Sequence, residues 1–323
     1  MIDKLENIGF YTLSDDRAKN ICSTSPMWRA ELIICSRCNF NCSYCRGLRP
    51  DCLGDMSLED AMNVIGIWTK DHLKNIRFSG GEPTLHKNLI DMVQFAKVNG
   101  VERIALSTNG SAKTELYQEL VDAGVNDFSI SLDACCSSFA DVMAGKKINF
   151  DIISNNIKYL SNLTYVTVGI VVTDSNVGQM LDVIRYAHGL GVSDIRVIPA
   201  AQQDRMLEGV KDLEQEIIEA HPILKYRVNN IKNGIHVRGI QDKDTHKCYL
   251  AQDDTACCGN FHFPCIIALR EGHDPIGLIG ENMREERVEW SKNHDTHLDP
   301  ICKRSCLDVC IDFNNKIDMF KKK

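Results

Sequence analysis

A chain of 323 residues with 44% hydrophobic content can bury one large α/β core and still carry a smaller appendage. Its formal net charge of −7 argues against a broad nucleic-acid surface but allows a local basic patch. No stretch reaches the ~18 unbroken apolar residues of a membrane span, and the opening MIDKLENIGFYTL lacks a basic stretch followed by a long apolar run. A cytoplasmic protein without a membrane partner is expected.

Residues 1–28 are expected to be an N-terminal extension. The segment 29–34 (RAELII) reads as a first strand, and a cysteine-rich loop follows it. Ser57 is placed to cap a helix running to about Thr69, with Glu59 and Asp60 favouring its positive end. A short strand is expected over 75–79, an amphipathic helix over 89–98 stopped by Gly100, and a strand over 103–107. A helix from Lys113 to about Ala123 ends at Gly124, and 127–132 (DFSISL) is the fourth strand. A helix around 152–160 precedes the β-branched strand 165–172 (YVTVGIVV). A helix over 177–190 ends at Gly191, and 194–198 (DIRVI) is the sixth strand.

Six successive strand–helix units imply a parallel sheet with right-handed helical crossovers. An open or partial barrel and a doubly wound sheet both fit, and either places its ligand site at the C-terminal strand ends. The expected fold class is therefore α/β. Past about residue 204 the pattern changes. The segment 207–220 reads as a helix with Pro222 just beyond it. From Gly234 the chain is loop-rich and holds seven cysteines. A second, smaller domain is expected there, dividing the chain into 29–205 and 206–323.

Fifteen cysteines without a secretion signal point to metal binding or catalysis rather than disulfides. Cys22, Cys35, Cys52, Cys135 and Cys136 read as small buried apolar residues. Cys38, Cys42 and Cys45 fall within eight residues of one loop. Three thiolates there can hold three irons of one cubane, leaving the fourth iron open to a substrate. A zinc-bound loop is the alternative; zinc sites prefer paired cysteine knuckles, and no matching pair lies nearby. Cys35 could supply a fourth ligand, but its spacing favours packing at the strand end.

The Cys-x3-Cys-x2-Cys spacing, with Tyr44 before the last cysteine, resembles the radical S-adenosylmethionine (radical SAM) superfamily. Three further segments strengthen the resemblance. Gly80-Gly81-Glu82-Pro83 looks like the family's Gly-Gly-Glu-Pro motif, Ser107-Thr108-Asn109-Gly110 follows the third strand, and Ser131-Leu132-Asp133 is similar to its Ser-Leu-Asp segment. The resemblance covers residues 29–205 and implies a partial (β/α)6 TIM-like barrel. It implies a [4Fe–4S] cluster on Cys38, Cys42 and Cys45, with S-adenosylmethionine on the open iron. One electron would then break the sulfonium C–S bond, and the 5′-deoxyadenosyl radical would take hydrogen from a substrate. Tyr44 would contact adenine through its backbone. Gly80 and Gly81 would let backbone approach the cofactor, and Glu82 would accept from its ammonium. Ser131 and Asp133 would lie beside it, with Pro199 to Gln202 near the adenine. A reducing partner such as flavodoxin or ferredoxin is implied.

The tail cysteines resemble twitch and SPASM extensions, which bind auxiliary clusters. Cys248 and Cys265 flank a strand-like piece around Phe261–Phe263, and Cys302-x3-Cys306-x3-Cys310 departs from the SPASM ending. The resemblance implies one auxiliary [4Fe–4S] cluster on Cys248, Cys265, Cys302 and either Cys306 or Cys310, with a structural zinc as the alternative. His246, His262, His273, His294 and His297 are read as surface or supporting groups.

The expected substrate is a small, sugar- or nucleotide-like molecule, with Arg77, Thr108 and Arg196 as candidate lining residues. Arg77 and Arg196 could instead be solvent-facing strand charges. The GTP-cyclising relative of this organisation uses a three-cysteine C-terminal cluster with Cys-x2-Cys spacing and a terminal Gly-Gly, neither of which this tail shows. A peptide-modifying enzyme is a second reading, lowered by the short stretch before Cys38. A non-catalytic iron–sulfur electron carrier is a third.

Overall fold

A computed structural model describes residues 14–200 and 207–322. The expected boundary at 205/206 and the Gln202 end of the adenine-contacting segment lie outside the described residues.

The strands β1 (Arg29–Cys35), β2 (Asn75–Gly80), β3 (Arg103–Thr108), β4 (Asp127–Ser131), β5 (Tyr165–Val172) and β6 (Asp194–Pro199) run parallel, each hydrogen-bonded to the next. Their outer faces are apolar because helical crossovers cover them; Val166, Val168, Ile170 and Val172, on one face of β5, are fully buried. Ser57 caps the helix Leu58–Lys70 by accepting from the Asp60 amide at 3.0 Å. This is the expected α/β, partial TIM-like barrel.

The tail joins the same sheet. Strand β7 (Asp254–Cys258) lies parallel to β1, with Arg29 opposite Asp254 and Ile33 opposite Cys258. Strands β8 (Phe261–Phe263) and β9 (Gly277–Leu278) continue antiparallel, giving the order β6-β5-β4-β3-β2-β1-β7-β8-β9. The loop-rich region thus covers the β1 edge that six strands alone would leave open. Arg29 pairs with Asp254 across the new seam. Arg17 pairs with Asp253, its guanidinium lying between Trp28 and Phe313. Buried Arg287 donates to the carbonyls of Asp254, Phe263 and Pro264 and ties the hairpin to the helix Met283–Asn293.

Several local expectations are corrected. A helix Ser137–Ala144 stands between β4 and the helix Phe150–Ser161. The segment 177–190 is a 3-10 turn followed by the helix Met180–Gly189. The segment 207–220 is also divided, into a 3-10 turn Glu208–Asp212 and a helix Gln215–Ala220. Pro222 opens the helix Pro222–Lys232 rather than following an end. Proline suits that first turn, where its missing N–H would have no helical partner anyway. Cys35 and Cys52 are buried and Cys135 is half-buried. Cys22 and Cys136 are exposed, one in a turn after the helix Asp15–Asn20 and the other at the N-cap of Ser137–Ala144. Among the described residues no helix is long and apolar enough to cross a membrane.

Candidate active site

The loops after the parallel strands converge at one end of the sheet around a cavity of about 260 Å3. Cys38, Cys42, Cys45, Gly80, Gly81 and Ser131 line it, together with Thr108, Asn109 and Asp133. Burial pushes the Cys38 and Cys42 thiols up, so thiolates there need a cation. The amides of Phe40 and Gly47 already face the sulfurs of Cys38 and Cys45, each at 3.4 Å. Three loop thiols opening onto one cavity have the ligand count of a cubane that keeps one iron open. Cys35 faces away, its sulfur 3.3 Å from the Glu82 carbonyl, and burial pushes its thiol up to about 11.

The Gly-Gly turn acts differently from the expected approach to a ligand. A Cβ on Gly80 would strike the Cys35 backbone, and one on Gly81 that of Ser36 and Arg37. Both glycines let this turn lie against the entry to the cysteine loop, where Gly81 and Glu82 amides donate to the Cys35 and Arg37 carbonyls. Glu82 is buried. Its Oε1 accepts from the Thr84 amide, the Thr84 hydroxyl and the Thr108 hydroxyl, and its Oε2 from the Asn109 amide at 2.7 Å. Four donors occupy the carboxylate, so it ties the β2 loop to the end of β3 instead of waiting for an ammonium. Thr108, hydrogen-bonded to Glu82 and 3.0 Å from the Tyr117 hydroxyl, belongs to that support as well as to the cavity wall.

Tyr44 donates its hydroxyl to Asp133 Oδ2, while Asp133 Oδ1 accepts from the Val171 amide at 2.6 Å. Burial pushes the Asp133 carboxyl up to about 6, against these two hydrogen bonds. The pair fastens the cysteine loop to the ends of β4 and β5. Ser131 is exposed in the cavity.

A second cavity, about 350 Å3, shares the walls Tyr44, Cys45, Ser79, Gly80, Ser131 and Arg270 with the first. Arg46, Arg77, Arg196, Arg227, Arg238 and Arg270 line it, with Glu31 as its acidic group. Arg77 is buried and Arg196 half-buried; neither is a solvent-facing strand charge. Arg46 pairs with Glu271 and Arg227 with Asp308. Arg46, Arg227, Arg238 and Arg270 were not anticipated from sequence. Arg46 adjoins Cys45 and could have been noticed there, whereas the others sit in segments without a motif.

A third cavity, about 100 Å3, is lined by Cys248, Cys265, Cys302, Cys306 and Cys310. Glu31, Arg77, Ile266, Ile267 and Leu307 also line the arginine cavity, which therefore lies between the two thiol-lined ones. Burial pushes Cys248 up to about 12, and burial with mutual repulsion raises Cys302, Cys306 and Cys310. A metal that replaces these protons would relieve both costs.

An open parallel sheet with three loop cysteines above its strand ends defines an enzyme of the radical SAM class. The Radical SAM superfamily model matches residues 32–187, and the chain belongs to the radical SAM superfamily. The electron-carrier reading is set aside accordingly.

Among curated proteins the chain is similar to GTP 3′,8-cyclase of Staphylococcus haemolyticus, 26% identical over 313 residues, covering 85% of this chain and 90% of that protein. The Staphylococcus epidermidis protein of the same name is 28% identical over 333 residues, covering 91% and 95%. That of Staphylococcus saprophyticus is 29% identical over 174 residues, about half of each chain (50% and 51%). Among solved structures, histidine-tagged anSMEcpe with bound AdoMet superposes with a TM-score of 0.63 at 14% identity, covering 92% and 95%. Streptococcus suis SuiB bound to precursor peptide SuiA gives 0.58 at 14% identity, covering 88% and 67%. At such identity these two likenesses concern the fold alone.

Proposed function

We propose that this enzyme cleaves S-adenosylmethionine reductively and directs the resulting radical at a small, multiply anionic metabolite, of sugar-phosphate or nucleotide type. Bound at Cys38, Cys42 and Cys45, the [4Fe–4S] cluster and S-adenosylmethionine supply the 5′-deoxyadenosyl radical. The chain's residues hold the cysteine loop through Tyr44 and Asp133, wall the cofactor cavity with Gly80, Gly81 and Ser131, and orient the substrate.

One observation carries the substrate class: six arginines and one acidic group line the cavity adjoining the cofactor site, in a chain of net charge −7. Guanidinium groups bind phosphate oxygens through paired N–H donors, and a sheltered cavity strengthens each contact. The nucleotide named in the GTP 3′,8-cyclase relatives is of this chemistry.

The thiol-lined cavity beyond the arginines is proposed to hold one auxiliary [4Fe–4S] cluster, for which Cys248, Cys265, Cys302, Cys306 and Cys310 are the candidate ligands and which would supply an acceptor for an electron. A flavodoxin or ferredoxin in the cytoplasm is proposed as the reductant.

The test incubates reduced, cluster-loaded protein with S-adenosylmethionine and a panel of nucleoside triphosphates, sugar phosphates and neutral peptides, and measures 5′-deoxyadenosine. Phosphate-bearing compounds should stimulate its release, and Arg77→Ala and Arg196→Ala should raise KM for the stimulating compound. Stimulation by a neutral peptide and by no anion would sink the proposal.

A further inference from the structure

His273, His294 and Asp299 are the one described group of three metal-ligating side chains whose donor atoms lie within 4.8 Å of one another. They come from three separate places: the turn after the helix Ile266–Arg270, the end of the helix Met283–Asn293, and the cap of the helix Pro300–Ser305. All three side chains are largely shielded from solvent, between 11% and 14% exposed.

Their hydrogen bonds divide their atoms in a telling way. Asp299 Oδ1 caps its helix, accepting from the amides of Ile301 at 2.7 Å and Cys302 at 2.9 Å. Its Oδ2 faces His273 Nε2 at 2.8 Å and His294 Nε2 at 3.6 Å. His273 Nδ1 lies 2.5 Å from the Asp274 carbonyl and must donate to it. That leaves the Nε2 lone pair facing a carboxylate oxygen, which is repulsive without a proton or a metal ion between them. A backbone carbonyl on the distal nitrogen is the usual way a metal-bound histidine is oriented. His294 is steadied by stacking on Trp290, with ring centroids 3.9 Å apart.

The Cys302 sulfur stands outside that group of three and adjoins it, 3.6 Å from His294 Nε2. For tetrahedral zinc, bonds of about 2.1 Å to nitrogen and oxygen and about 2.3 Å to sulfur separate ligand atoms by about 3.3 Å for N and O and about 3.5 Å for N and S. The His294–Asp299 and His294–Cys302 spacings are already close to these values.

We propose that His273, His294, Asp299 and Cys302 bind one divalent metal ion, zinc by its donor set, separate from either cluster. Such a site clasps three tail segments together. It also anchors the turn that carries Glu271, the ion-pair partner of Arg46, directly after Arg270. One consequence rests on the auxiliary-cluster reading above: with Cys302 committed to zinc, Cys248, Cys265, Cys306 and Cys310 remain as four cubane ligands. The mononuclear site itself does not depend on that reading.

The full chain, prepared anaerobically with its clusters, is titrated with zinc alone and with cobalt(II) alone, and iron is measured alongside. One zinc should bind per chain, and its X-ray absorption should show a single sulfur among nitrogen and oxygen ligands. Cobalt should show a thiolate charge-transfer band. His273→Ala and His294→Ala should weaken zinc binding by at least about 100-fold, beyond the usual cost of losing a supporting contact, with iron unchanged. Cys302→Ser should lose the cobalt band and keep its iron. No tight zinc or cobalt binding by the unmutated chain, or a four-sulfur zinc signature, overturns the proposal. Loss of about four irons in Cys302→Ser, one cubane's worth, also overturns it by making Cys302 a cluster ligand. Loss of those irons in Cys306→Ala or Cys310→Ala supports the auxiliary cluster. Retention of iron there counts against the cluster alone and leaves the zinc result to stand by itself.

Discussion

The Arg270 guanidinium donates to the Gly80 carbonyl at 2.9 Å and to the Gly47 carbonyl at 2.8 Å. A tail residue thus grips both the Gly-Gly turn and the cysteine loop, and its side chain walls the cofactor and arginine cavities alike. Arg270→Lys keeps a charge but loses the fork that spans two carbonyls. Each such charged hydrogen bond contributes about 1.5–3 kcal/mol, so substrate-stimulated release of 5′-deoxyadenosine should fall by at least about tenfold. Iron content and circular dichroism should not change. Unaltered coupling in Arg270→Lys would show that the contact serves only the fold.

Glu82 is predicted to be a positioning residue for the loops after β2 and β3. In Glu82→Gln one oxygen becomes an NH2 group, which must face N–H or O–H donors where the carboxylate accepted from four. Leaving a buried donor unpaired costs about 1–3 kcal/mol. The urea midpoint should drop accordingly. S-adenosylmethionine affinity should weaken with it, because Asn109 and Thr108 lose their anchor. A direct ammonium contact would instead weaken affinity while leaving stability intact.

Gly145 ends the helix Ser137–Ala144 with φ +66°, and a Cβ there would strike the Asn41 carbonyl inside the cysteine loop. Asn41 in turn donates its amide to the Ala144 carbonyl at 2.8 Å. Gly145→Ala adds a left-handed strain of roughly 1–2 kcal/mol and pushes the loop away. About four irons should be lost from the chain as isolated, with the tail metals retained. Full iron content in this variant would refute the claim that the helix end sets the loop.

Burial pushes the Asp194 carboxyl up to about 7, against an unfolded value of about 3.9. Between those limits the folded chain holds a proton that the unfolded chain has released, so stability falls as pH rises from about 4 to about 7. Above about 7 this contribution is level. The slope from one such group is at most about 1.4 kcal/mol per pH unit. In Asp194→Asn the amide oxygen can still accept from the Ile195 and Ile223 amides, and its NH2 can donate to the Tyr165 hydroxyl. Urea midpoints at pH 5 and pH 8 should lie closer together in the variant than in the unmutated chain. An unchanged gap would assign the pH dependence to other groups.

The parallel α/β core was legible residue by residue, because short β-branched strands and capped amphipathic helices are local patterns that survive without knowledge of neighbours. The order of the cofactor segments was legible too, since each follows directly on a strand. The sequence did not resolve the short helix Ser137–Ala144, whose few residues offer little periodicity. Nor did it resolve that Pro222 begins a helix, because proline reads equally well as a stop. The pairing of β7 with β1 had no local signal and emerged in the folded sheet. That pairing brings Cys248 and Cys265 to the far side of the cavity from Cys38, Cys42 and Cys45. The fold also decided that arginines from β2, β6 and four other segments face one cavity, and that Glu82 is consumed by its neighbours. The arginine cavity joins side chains more than a hundred residues apart, as Arg77 and Arg196 are. Only the register of the folded sheet, which no local pattern records, brings them together.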